Sequence, residues 1–79
     1  MTNREKYIEA FVESFSVKAE DVPELAYQSI PAWDSVGHMG LIAAVEDAFD
    51  IQFETDDIVD FGSFDKGIEL LKKYDVVIE

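Results

Sequence analysis

Asp34, Ser35 and His38 stand almost together in the chain and carry the three side-chain types of a hydrolytic triad. Spacing argues against that use. A nucleophilic serine needs a base facing it across a site, and a third group that orients the base. Ser35 and His38, at i and i+3 of one helix, share a face and do not converge. The chain has no G-x-S-x-G turn, and 79 residues are few to enclose a substrate pocket. His38 is expected to pack against Trp33 or to sit half exposed, and the protein is expected not to be an enzyme. Asp56, Asp57 and Asp60 invite comparison with a calcium loop. In the register that puts Gly62 at the sixth position, however, Val59 and Phe61 fall where ligands are needed and Ile68 falls last. No specific metal site is expected, and with no cysteine and a single histidine few other metal sets can be built.

Ser35 has a different use. With Asp34 as N-cap it becomes the first residue of a helix, beside free backbone N–H groups and the positive end of the helix dipole. A phosphodiester attached there would occupy a favourable place for an anion. The plain alternative is that Asp34-Ser35 is only a helix start, since both residues are common at that place.

The elements that must hold this serine follow from periodicity. Thr2 and Glu5 match a capping box, and Ile8, Phe11, Val12 and Phe15 recur at helical spacing, which predicts a first helix to about Phe15. Pro23 and Pro31 break the pattern between Ser16 and Trp33, giving a long loop whose Val17, Val22, Leu25, Tyr27 and Ile30 are apolar enough to lie over a core. A second helix follows Asp34, with Leu41, Ile42, Val45 and Phe49 inward and Met39 at the edge. Residues 50–54 leave the helix with Ile51 and Phe53 inward. Thr55 is expected to cap a short third helix that Gly62 ends, and Ser63 to cap a fourth through about Tyr74, buried along Phe64, Ile68 and Leu71. The tail Val76-Val77-Ile78 is read as irregular. The expected fold is all-α, a small four-helix bundle with a short third helix and a long first loop, formed as one domain over residues 1–79.

Charge narrows the partners. Eighteen acids against six bases give a net charge of −12, which opposes binding to nucleic acid or to an anionic membrane surface. No apolar run approaches a membrane span and no charged-then-apolar leader opens the chain, so a cytoplasmic location without membrane insertion is expected. Basic protein surfaces are the natural partners.

Trp33-Asp34-Ser35-Val36-Gly37-His38-Met39, followed by Leu41 through Phe49 with the acidic pair Glu46-Asp47, resembles the phosphopantetheine-attachment helix of the acyl carrier proteins. The resemblance covers roughly residues 3–74, including the capped first helix, the long loop and the Asp-rich third helix. It implies that Ser35 is esterified to 4′-phosphopantetheine, taken from coenzyme A by a phosphopantetheinyl transferase, and that acyl groups ride as thioesters on the terminal thiol of that arm. Asp34 would cap the helix beside the site. Fatty-acid-type carriers usually bear acids where Gly37 and Gly40 stand here, and peptidyl carriers usually bear Gly-Gly where Ala32-Trp33 stands. Among fatty-acid, polyketide and other biosynthetic pathways, those departures point to a discrete carrier in a specialised one, such as polyketide, modified-sugar or hydroxyacyl metabolism; the protein is expected to be a monomer. For partners that load and process the acyl group, the expected docking face is the small-residue strip of Val36, Gly37, Gly40 and Ala43, rimmed by Glu46, Asp47, Asp56, Asp57 and Asp60. The rival from another class is an unmodified acidic helical adaptor that binds a basic protein; a small hydrolase is a distant third.

Overall fold

A computed structural model describes residues 2–79. Four α-helices, α1 (Asn3–Phe15), α2 (Ser35–Phe49), α3 (Thr55–Asp60) and α4 (Phe64–Lys72), surround a core rich in aromatic rings, and no strand forms among the described residues. The fold is the all-α bundle with a short third helix. The long first connection is more ordered than a plain loop, because a 3-10 helix occupies Ala19–Glu24. Pro23 fits inside it, where a tight turn asks little of the backbone donor that proline lacks.

The α1 capping box forms in both directions. The Thr2 hydroxyl accepts from the Glu5 N–H at 3.1 Å, and the Glu5 carboxylate accepts from the Thr2 N–H at 2.9 Å. The buried face is rotated from the expected stripe, since Tyr7, Ala10, Phe11 and Phe15 are buried while Ile8 and Val12 are only partly so. The cause is tertiary. Tyr7 lies fully inside because its O–H donates to the Phe64 carbonyl at 2.7 Å, which removes the cost of burying the hydroxyl. Burial, reinforced by the negative charge of Asp65, pushes the Tyr7 pKa strongly up. Gly67 makes this crossing possible, as a Cβ there would run into the Tyr7 hydroxyl and the Phe61 ring.

Two further boundaries differ from expectation. Glu54, not Thr55, is the N-cap of α3, and no side chain caps it; Thr55 is the first helical residue. Helix α4 ends at Lys72, and tighter bonds from Tyr74 N–H to Leu71 O (2.9 Å) and Asp75 N–H to Lys72 O (3.1 Å) carry the chain into a turn. Ser63 does cap α4, accepting from the Lys66 N–H at 3.0 Å. The tail is irregular, yet it alternates. Val76 and Ile78 are buried, Val77 is exposed, and the Asn3 side-chain amide donates to the Val77 carbonyl at 3.1 Å.

Candidate functional site

The segment before Ser35 is fixed by backbone bonds that precede any side-chain argument. Ala26 forms an isolated antiparallel bridge with Ser63: Tyr27 N–H donates to Gly62 O at 2.8 Å, and Phe64 N–H to Leu25 O at 3.1 Å. A turn then closes with Gln28 N–H on Trp33 O at 2.9 Å. Trp33 anchors the segment. Its ring is fully buried, stacked on Phe15 at 5.3 Å and edge-on to Phe11 at 5.5 Å.

At the start of α2, an Asp34 carboxylate oxygen accepts from the Gly37 N–H at 2.8 Å, and the Asp34 carbonyl accepts from His38 N–H at 2.7 Å. The N–H groups of Ser35 and Val36 therefore have no intrahelical acceptor. Ser35 is exposed, and Val36 next to it is 79% exposed. Gly37 belongs to the framework and leaves the expected docking strip. A Cβ on it would collide with the Ala32 carbonyl and press on the Phe15 ring, so only glycine lets the incoming segment lie this close to α2.

His38 ties the site to α3. Its Nδ1 accepts from Trp33 Nε1–H at 2.9 Å, and its Nε2 lies 2.7 Å from the Ile58 carbonyl. Both bonds are satisfied together only by the neutral tautomer with the proton on Nε2. The imidazole stacks on Trp33, with centroids 6.2 Å apart and planes at 15°, and meets the rings of Tyr27 and Phe61 edge-on. Both ring nitrogens are thus engaged within the fold, and the Asp34 carboxylate is held by the helix backbone. No triad assembles.

Between α2 and α3 runs an open groove of about 440 Å³ with Ser35 in its wall. Tyr27, Met39, Ile58, Val59, His38, Phe61 and Gly62 complete the lining, and none of them carries a full charge in the neutral tautomer. Sequence reasoning placed Met39 only at the edge of α2 and did not bring Tyr27, Ile58, Val59 and Phe61 together with Ser35 in one groove. The available signal was Val59, an apolar residue among the acids of α3, which is 76% exposed.

The remaining expected site residues separate into two groups. Val36, Gly40, Ala43 and Asp47 form an exposed strip on α2 opposite the core, and Asp56 and Asp60 are exposed on α3. Glu46 and Asp57 are otherwise engaged. A Glu46 carboxylate oxygen accepts from the Phe53 N–H at 2.8 Å, pinning the connection after α2. Asp57 is 3% exposed; its carboxylate takes Lys73 Nζ at 2.6 Å and the Tyr74 O–H at 2.5 Å. The Glu54 N–H donates in turn to the Tyr74 hydroxyl oxygen at 2.9 Å. The bond from Lys73, then that from Tyr74, holds the Asp57 carboxyl below its ordinary value, while the bond to Asp57 raises Lys73. Burial, then its bond to Asp57, raises Tyr74. Asp57 is a tie between α3 and the end of α4, not part of an acidic rim.

No helix among the described residues is long and apolar enough to cross a membrane. No protein-family model matches the chain, and no solved structure matches it significantly. Among curated proteins, it is 34% identical over 73 residues to an acyl carrier protein of Syntrophus aciditrophicus (strain SB), an alignment that spans 91% of each chain. Sequence in common with that relative over nearly the whole chain makes this protein a carrier and not a catalyst: it belongs to the acyl carrier protein family.

Proposed function

We propose that Ser35 carries 4′-phosphopantetheine, attached from coenzyme A by a phosphopantetheinyl transferase, and that the protein holds acyl intermediates as thioesters for a biosynthetic pathway. The observation that carries this reading is the exposed hydroxyl of Ser35 at the first position of α2, behind a formed Asp34 cap and in the wall of an apolar groove. The residues fit the group. Ser35 is exposed, the N–H groups of Ser35 and Val36 suit a nearby phosphodiester, and the groove suits an apolar cargo. The prosthetic group supplies a thiol, which a chain with no cysteine lacks. Asp34 keeps the helix start rigid so that Ser35 is presented in one orientation to the modifying enzyme.

The enzymes that load and process the acyl group would meet Val36, Gly40 and Ala43, with Asp47, Asp56 and Asp60 steering basic side chains around them. Glu46, Asp57 and Gly37 support that surface from beneath. The departures from fatty-acid carriers at Gly37 and Gly40 favour a specialised pathway. The protein is proposed to act as a cytoplasmic monomer, one domain over its 79 residues.

Intact mass after incubation with coenzyme A and a broad-specificity transferase tests the assignment. One added arm on the natural chain and none on Ser35→Ala is the expected result. The variant should fold, with stability changed by no more than about 1 kcal/mol, because the side chain is exposed. Modification of Ser35→Ala at another serine would refute the site. An unmodified natural chain, beside a control carrier that is modified, would favour the acidic adaptor.

A further inference from the structure

The two bonds of His38 fix how many protons its ring can hold. Nδ1 accepts from Trp33 Nε1–H at 2.9 Å, and Nε2 lies 2.7 Å from the Ile58 carbonyl, which only an N–H can satisfy. The ring therefore carries one proton, on Nε2. A second would sit on Nδ1 and point at the hydrogen of the Trp33 indole. Trp33 has no exposure, so its N–H cannot turn to water in place of that acceptor, whereas the half-buried imidazole can. Histidine is the side chain that ordinarily changes charge between about pH 5 and 8. The groups around this one do little to compete for the proton. From the segment before α2 the ring meets Tyr27 and Trp33, and across the seam it meets Ile58 and Phe61; only Tyr27 among them is titratable. On α2 itself the Asp34 carboxylate is taken by the Gly37 N–H. On α3, Asp56 and Asp60 are exposed and Asp57 is turned to Lys73 and Tyr74. That second tie keeps its charges through the same range. The bonds from Lys73 and Tyr74 hold the Asp57 carboxyl below its ordinary 3.8, and the bond to Asp57 holds Lys73 above its ordinary 10.5. Mild acid thus acts on one tie of α3 and leaves the other.

We propose that the Trp33–His38–Ile58 bridge is a proton-sensitive latch: with His38 neutral it clips the segment leading into Ser35 to α3, and protonation of His38 opens it at the Trp33 bond. An imidazolium still has a donor for the Ile58 carbonyl but no acceptor for the indole, so opening begins at Trp33. Trp33 is the anchor of its segment, packed on Phe15 and Phe11 and closing the turn from Gln28, so a change there reaches the residues just before Ser35. The sign follows from the neutral form being the one the fold uses. The latch contributes its full stability while the imidazole is neutral, and loses it as the pH falls and the ring takes up a proton. The overall charge of −12 works the other way, since acid relieves repulsion among the carboxylates. The latch therefore shows as a difference between the natural chain and one with no titrating group at position 38. It rests on bonds within the fold and not on modification of Ser35.

The unmodified protein is enough for the test. Trp33 is the only tryptophan and His38 the only histidine, so each gives a single set of side-chain NMR signals. At about pH 7.5 the ring-nitrogen shifts of His38 should show the proton on Nε2. As the pH is lowered toward about 5.5, the Trp33 indole proton should move upfield along the same curve as the His38 ring signals. His38→Gln offers a carbonyl to Trp33 and an amide N–H to Ile58 without a titrating group, and in it the indole signal should stay in place. The Tm of the natural chain relative to His38→Gln should fall by roughly 4–8 °C over that pH interval, the shift expected of one lost buried bond in a domain of this size. A neutral ring with its proton on Nδ1 would overturn the latch. So would an imidazole that stays neutral until the protein unfolds in acid, or an indole signal that does not follow the ring. A Tm difference that is the same at both pH values would also overturn it. If His38→Gln fails to fold, the ring and indole titrations of the natural chain decide the matter alone.

Discussion

The two grooves that flank α2 are nearly equal in size, about 470 Å³ toward α1 and about 440 Å³ toward α3, and opposite in character. Toward α1, the lining is Ala10, Ala44 and Ala48 with the charged side chains of Lys6, Glu9, Glu13 and Asp47. Toward α3 it is uncharged and includes Ser35. The packing beneath differs too. Helix α1 contributes four buried side chains to the core, whereas the one buried residue of α3 is the acid Asp57. Helix α1 is therefore held by area and α3 by directed bonds, at His38–Ile58 on one side and Asp57–Lys73–Tyr74 on the other. A helix attached by a few polar ties can reposition at lower cost than one bonded through a broad apolar face. The wall that can adjust is thus the one beside Ser35.

The sharpest way to break this comparison is to remove the ring that supports the His38 tie. Phe61 is fully buried under His38, against Phe53 and Phe11. Phe61→Ala should cost about 3–5 kcal/mol, a large part of the stability of so small a domain. Phe49→Ala, on the expected inner face of α2 but only partly buried, should cost clearly less. Urea midpoints for the pair check the ranking; equal losses would mean that the α3 seam is no more critical than the end of α2.

Gly37→Ala comes next. The new methyl meets the Ala32 carbonyl, which is backbone and cannot rotate away, so the segment before Ser35 has to shift. A loss of about 1–3 kcal/mol is expected, with Tm falling accordingly, as for other overpacked sites. Unchanged Tm would show that the segment is looser than its bonds suggest.

Asp57→Asn tests the polar tie on α3 through its pH dependence. Lys73 and Tyr74 hold the Asp57 carboxyl below its ordinary value of 3.8. A pKa lower folded than unfolded means that the contribution is complete above 3.8 and is lost as pH falls through the folded value. At neutral pH the variant should melt lower than the natural chain, and the gap should close as the pH falls below 3.8. A gap that persists in acid would assign the loss to packing instead of charge.

Most of the framework was legible because it depends on neighbours in sequence. The Thr2–Glu5 box, the Asp34 cap and the Ser63 cap each act within three residues, and each forms as the spacing predicts. What was not legible depends on partners far along the chain. Tyr7 displaces Ile8 from the inner face because of a carbonyl 57 residues away. Asp57 looks like one acid among several, and only Lys73 and Tyr74, 16 and 17 residues on, turn it inward. Trp33 and His38 were expected to meet, but the Ile58 carbonyl that makes the pair a bridge to α3 has no mark in the sequence.

Gly40→Glu has the smallest expected effect on the fold, and bears on the strip between the two grooves. Gly40 differs from Gly37 in having open space where a Cβ would stand, with nothing within 4 Å. Glycine inside a helix costs about 1 kcal/mol relative to alanine, and glutamate is nearly as good a helix former as alanine, so the variant should gain up to that amount. The absence of any neighbour at Gly40 means that the protein's own packing does not require the glycine. If the strip of Val36, Gly40 and Ala43 is where partner enzymes approach, the added side chain should slow acyl loading by the cognate enzyme while Tm holds or rises. Gly40→Ala, which adds little bulk and no charge, should regain the stability and keep most of the loading rate. Loading of Gly40→Glu at the natural rate would take the strip out of the interface, leaving Asp47, Asp56 and Asp60 as the contacts that recognition depends on.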